Sequence, residues 1–144
     1  MKKSLKNLGM GVLFVALLAG SVTMAMAAAA LPLGSSPAIP AAQGDARVRM
    51  TQNGNSEIRL RVSHLAPPGR VVSGAEVFVV WLRGMAPGDE VRNLGALKVN
   101  NKLNAKFTAT TPMKSFDMFI TCEQSQTVTV PDSLELLPFH YESK

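Results

Sequence analysis

The chain has 144 residues, 15 of them Lys or Arg against 10 Asp or Glu, and a single cysteine. One cysteine excludes an internal disulfide, and a chain this short has room for one modest core, whose packing alone must hold the fold. The net charge of +5 is no argument for nucleic acid binding: with Lys2, Lys3 and Lys6 set aside, twelve cationic residues face ten acidic ones, a net of +2.

At the start of the chain those three lysines precede an apolar run from Leu8 to Ala19, and Ala25-Met26-Ala27 follows. Basic, then apolar, then A-x-A is the order of an export signal. It predicts that residues 1–27 are a signal peptide cleaved near Ala27 and that the protein is exported, to the periplasm or the cell exterior. The rival is a retained membrane anchor, because no charged residue falls between Asn7 and Gly44. The strongly apolar part is only about a dozen residues, short of the roughly 20 that a spanning helix needs. The one cysteine, Cys122, lies far beyond the run, which argues against lipid attachment. Residues 28–44 carry Pro32, Pro37 and Pro40 among Ala, Gly and Ser. Prolines at this spacing remove backbone donors and disfavour helix, so the segment reads as an extended, mobile linker. The folded domain is then 45–144.

Within that domain apolar residues recur with period two. Val48 and Met50 alternate with Arg47, Arg49 and Thr51, and Ile58, Leu60 and Val62 with Glu57, Arg59 and Arg61, the pattern of half-buried strands. Val77 to Leu82 is apolar on both faces and predicts the most buried, central strand. Leu94–Val99 and Leu103–Ala109 are two more, joined through Asn100-Asn101, whose side chains tolerate the positive φ of a hairpin turn. Phe116, Met118, Ile120 and Cys122 line one face of a sixth. A short strand is expected near Thr127–Val130, with Leu134–Leu137 as a further edge. Gln52–Asn55, Ala66–Gly69, Ala86–Asp89 and Thr111-Pro112 supply turn residues between them. About seven short strands with no sustained helical period predict an all-β fold, an antiparallel sandwich of immunoglobulin-like architecture, with a small barrel as the alternative.

Leu65-Ala66-Pro67-Pro68, Phe78-Val79-Val80-Trp81-Leu82, Asn93-Leu94-Gly95 and Phe116-Asp117-Met118-Phe119-Ile120-Thr121-Cys122-Glu123, with a following Pro131, resemble the C-terminal extracytoplasmic domain of anti-sigma-K factors. The resemblance covers roughly residues 58–131 and implies a β-domain of the cell envelope. Sigma-factor inhibition does not carry over, because no cytoplasmic anti-sigma domain stands in this sequence. Phe78 occupies a position where the family usually has Tyr, and Cys122 one where a small aliphatic residue is usual.

Reactive chemistry is sparse. His64 and His140 are the only histidines, and residues 28–144 hold Met50, Met85, Met113 and Met118. A transition-metal site needs several such ligands converging, and their spacing does not bring them together; Met50, Met118 and Cys122 read as packing residues, His140 as part of a mobile tail. There is no G-x-S-x-G or H-E-x-x-H motif. Asp89-Glu90 offers too few oxygens for calcium and reads as a solvated loop. No catalytic residue, metal or cofactor is expected, and Trp81 and Phe116 are assigned to the core.

One surface feature points to a ligand. If the Gln52–Asn55 turn sets Met50 opposite Ile58 and Val48 opposite Leu60, Arg49 faces Arg59 and Arg47 faces Arg61. Four guanidiniums side by side repel one another unless an acid or an anion lies between them, and guanidinium suits carboxylate and phosphate. The blander reading is a solvated face that discourages edge-to-edge aggregation. The expected function is that of a non-catalytic exported envelope domain that binds or supports a protein partner. The alternative is a binder of an anionic envelope ligand (phospholipid headgroup, lipopolysaccharide or acidic polysaccharide) through Arg47, Arg49, Arg59 and Arg61.

Overall fold

A computed structural model describes residues 28–144, so the expected signal peptide lies outside the described residues. Eight strands, β1 (Leu31–Pro32), β2 (Gln43–Met50), β3 (Ser56–Ser63), β4 (Val77–Gly84), β5 (Val91–Leu97), β6 (Ala105–Thr111), β7 (Ser115–Glu123) and β8 (Leu136–Glu142), are joined by turns and one short helix, α1 (Pro68–Val71). They form two antiparallel four-stranded sheets, β1-β2-β3-β6 and β5-β4-β7-β8.

The alternation read from the sequence sets what lies between the sheets. Ala46, Ile58, Leu60 and Val62 point in from the first sheet, and Phe78, Val80, Leu82, Phe116, Met118, Ile120 and Cys122 from the second. The thiol of Cys122 is pushed up to about 11, first by burial and then by the nearby Glu123 carboxylate, so at neutral pH it packs as a small hydrophobe.

Strand β4 is apolar on both faces because both are covered. Its inner residues join the main core, while Val79 and Trp81 face outward and pack with Phe119 into a second core, against Val77, Val91 and Val128. The cover is the β7–β8 connection, residues 124–135. Thr127–Val130 lies in this flap and not in a strand, and the last strand runs past Leu137 to Glu142. The flap is pinned by side chains. Asn93 sits in the bulge that leaves Leu94 unpaired opposite β4, where Gly95 takes φ +127°. Its Nδ2 donates to the carbonyls of Gln126 (2.9 Å) and Val128 (2.7 Å), and its Oδ1 accepts from Gly95 N–H (2.8 Å). Ser133 Oγ accepts from the backbone N–H of Cys122 at 2.9 Å.

The segment expected to be a mobile linker is folded from Leu31 onward. Ser36, Ile39 and Ala42 are buried, and the strap they form ties the two sheets together. Leu33 N–H donates to Gly44 O at 3.0 Å on the first sheet, and Gly34 N–H to Pro138 O at 2.7 Å on the second. Ser36 Oγ accepts from the buried N–H of Leu137 at 2.7 Å. Gly34 allows this approach, since a Cβ there would stand 2.9 Å from Pro138 O. The prolines keep this segment out of helix, but Ile39 and Ala42 supply apolar surface that an extended linker would leave in water. At the Asn100-Asn101 turn, Asn100 Oδ1 accepts from the N–H groups of Lys102 and Asn104; the positive φ falls on Leu103 (60°).

Candidate functional site

Among the described residues, nothing covers the outer face of the first sheet. Period two along β2, β3 and β6 sends Asp45, Arg47 and Arg49, then Glu57, Arg59 and Arg61, then Lys106, Thr108 and Thr110 to that side, opposite to the buried Ala46, Ile58, Leu60 and Ala105. All four arginines expected there are exposed on this one face.

Their pairing differs from expectation by two residues. The turn spans Thr51–Asn55, closed by Thr51 N–H to Asn55 O (2.8 Å) and by Asn55 N–H to Thr51 Oγ1 (3.1 Å). Met50 therefore pairs with Ser56, Arg49 with Glu57, Arg47 with Arg59 and Asp45 with Arg61. A two-residue shift keeps the alternation of faces, although Met50, expected to pack, is 49 % exposed at the end of β2, and it replaces two arginine–arginine pairs by one, flanked by an acid on each side. Glu57 Oε1 lies 2.7 Å from Arg59 Nε and 3.2 Å from an Arg49 Nη, and Oε2 lies 3.2 Å from the same Nη. Desolvation pulls the Glu57 carboxyl upward, but the hydrogen bonds from Arg59 and Arg49 and their charges outweigh it, so it titrates below its ordinary value.

Lys106 is the residue that sequence reasoning missed. It pairs with Arg61 across β3 and β6, strands far apart in sequence, and alternation alone cannot reveal which strands become neighbours. The face thus carries five cations (Arg47, Arg49, Arg59, Arg61, Lys106) and two acids (Asp45, Glu57). Arg47, Arg61 and Lys106 make no ion pair with a described residue. Beside Arg61 and Lys106 the surface falls into an open depression of about 410 Å³ whose polar lining includes Gln43, Asp45, Ser63 and Asn104.

A smaller network of charged side chains lies on the other sheet. Arg83 Nη1 meets Glu135 Oε1 at 3.1 Å and its guanidinium lies over the Phe119 ring, 5.1 Å from the centroid. His140 Nδ1 lies 2.7 Å from Asp117 Oδ1, so this histidine belongs to strand β8 and not to a mobile tail. Beneath the flap, Trp81 Nε1–H donates to Thr121 Oγ1 (2.7 Å), and the Thr121 hydroxyl donates to Glu123 Oε1, which also accepts from Asp132 N–H (3.1 Å). Trp81 and Thr121 are 0 % exposed and Glu123 3 %, which makes this a closed, satisfied polar chain with no room for a substrate. Among the described residues no three of His, Cys, Asp and Glu gather to hold a metal ion.

No protein-family model matches the chain, and neither a curated protein nor a solved structure does.

Proposed function

We propose that the chain is a non-catalytic binding domain of the cell envelope that engages an anionic partner through the outer face of its first sheet. The observation that carries this reading is the excess of cations on one surface, three of them in no ion pair with a described residue. Guanidinium and ammonium groups left so exposed remain free to pair with carboxylate or phosphate from outside. The exported location follows from the order of residues 1–27.

The strand order supports an immunoglobulin-like reading of the sandwich. With β2, β3, β4, β5, β6, β7 and β8 lettered A, B, C, C′, E, F and G, the sheets are A-B-E and C′-C-F-G, and the fourth strand sits beside C. Trp81 departs from the usual arrangement, since it stands on the strand lettered C but faces away from the inter-sheet core. The likeness to the anti-sigma-K extracytoplasmic domain agrees with a binding role and suggests no chemistry.

Binding to phosphatidylglycerol vesicles and to lipopolysaccharide, followed from low to high salt, tests the reading. Replacing Arg47 and Arg59 by Gln removes the one arginine–arginine pair and should leave stability within about 0.5 kcal/mol, as surface changes usually do. It should weaken binding at low salt, and added salt should bring the wild-type signal down to that of the variant. Equal binding by both proteins at every salt concentration would reject the face as the site. A second reading, a protein partner seated on the flap, is favoured by Val130 and Leu134, apolar side chains 69 % and 62 % exposed in the same connection. Salt distinguishes it, because an apolar contact survives ionic strength that abolishes charge-driven binding.

A further inference from the structure

The five cations are not scattered over the first sheet. Strand register arranges its outer residues in rows across β2, β3 and β6: Asp45, Arg61, Lys106; then Arg47, Arg59, Thr108; then Arg49, Glu57, Thr110. Stepping through neighbours from Lys106 to Arg61, Arg59, Arg47 and Arg49 crosses the sheet from one corner to the opposite one and meets only positive charge. Asp45 occupies the corner on one side of that line, and Glu57, in the middle of the last row beside Thr110, lies on the other side. The stripe spans two strand spacings and two rows, about 17 Å between its end Cα atoms from ordinary strand geometry.

Resting on the reading that this face binds anions, we propose that its partner is a linear acidic polysaccharide lying along the diagonal. Three features favour a chain over a compact ion or a flat anionic surface. First, no single carboxylate or phosphate reaches from Lys106 to Arg49, whereas a chain with a carboxylate on successive sugars meets each cation in turn. Second, a planar charged surface would press on Asp45 and Glu57 as well as on the cations, while a strand runs between the two acids. Third, Glu57 holds Arg59 through Nε and leaves both Nη groups of that guanidinium in the middle of the stripe, which orders the donor before any ligand arrives. The open depression beside Arg61 and Lys106, with the Asn104 and Ser63 side chains at its wall, gives one end of such a chain polar partners for its hydroxyl groups.

The test uses the protein as isolated from the cells that produce it and three probes: polygalacturonate, the galacturonate monomer at equal uronate concentration, and phosphatidylglycerol vesicles. The proposal expects salt-sensitive binding of the polymer and none of the monomer in the same concentration range. The Arg47→Gln/Arg61→Gln variant should bind the polymer at least about tenfold more weakly, since each loses a charge-assisted contact. An equal change in net charge away from the stripe, Arg70→Gln/Lys98→Gln, should move the affinity less than twofold. Equal losses in the two variants would show attraction to net charge only and would overturn the diagonal. So would monomer binding as tight as the polymer per uronate. Vesicle binding without polymer binding would overturn the polysaccharide and leave the anion-binding face standing. Failure of all three probes at low salt would remove both.

Discussion

The two outer faces of this sandwich have been given opposite treatments by the same period-two rule. On the second sheet the outward positions of β4 and β7 include Val79, Trp81 and Phe119, and the chain folds a flap back over them. On the first sheet the outward positions of β2, β3 and β6 are mostly charged or hydroxylated, and none of the described residues covers them. An apolar outer face gains by being buried, at roughly 25 cal/mol per Å², and it becomes part of the stability of the domain. A cationic outer face gains nothing from burial by its own chain and stays available to something else. The difference makes one outer face part of the packed interior and leaves the other as the surface proposed for recognition.

Removing the centre of the covered face should have the largest effect. Trp81→Ala empties a fully buried site and breaks the hydrogen bond to Thr121, and a destabilisation of about 3–5 kcal/mol is expected, a large part of the total for so small a domain. Denaturant unfolding measures it; unchanged stability would mean that the flap does not enclose Trp81, and the comparison would fail.

Ser36→Ala should come next, at about 1–3 kcal/mol, because it leaves the buried N–H of Leu137 without its acceptor. Amide exchange at Leu137 should speed up even where global unfolding is unaltered. Asn93→Ala removes both side-chain bonds to the flap, and about 1 kcal/mol is expected. Trp81 is the only tryptophan, so its fluorescence should become more accessible to acrylamide in this variant while the first sheet is undisturbed.

The smallest effect on stability and the most telling effect on binding belong to Glu57. Because its folded value is depressed, whatever the ion pairs contribute is present above the ordinary carboxylate range and is lost as pH falls through that lower value. Protonation frees Arg49 and Arg59. Binding of a sulfated polysaccharide, which stays ionised in acid, should therefore tighten as pH falls through this range. Glu57→Gln should reproduce that gain at neutral pH with little change in unfolding. Weaker binding in this variant would show that Glu57 acts chiefly by ordering the arginines.

Most strands and their faces were legible from alternation alone, since the pattern Val48, Met50 and Ile58, Leu60, Val62 defines which side is apolar. Register was not. Alternation specifies pairing only to within two residues, and the choice between Arg49–Arg59 and Arg49–Glu57 lay with the Thr51–Asn55 turn, whose hydrogen bonds no pattern announces. The neighbours of β3 were equally hidden, and Lys106 with them, because β6 arrives from across the chain. The flap did leave a signal. A strand apolar on both faces, as Val77–Leu82 is, needs a cover on both; Thr127–Val130, expected as a short strand, instead belongs to the connection that supplies the second cover. The strap was concealed by composition: three prolines outweighed Ile39 and Ala42, although two apolar side chains are enough to anchor a segment whose backbone groups find partners on both sheets.

The bond between Ser36 and Leu137 joins residues 101 positions apart, and this places a constraint on time as well as on shape. A chain is made from its N-terminus, so the strap is among the first parts of the domain to appear and its partner β8 the last. Until Pro138 and Leu137 are available, Gly34 and Ser36 have nothing on the second sheet to hold, and the two sheets have no tie along that side. Closing so long a loop is slow compared with forming the local hairpins. The domain is therefore latched only when β8 is in hand, and a nascent chain remains unlocked until then.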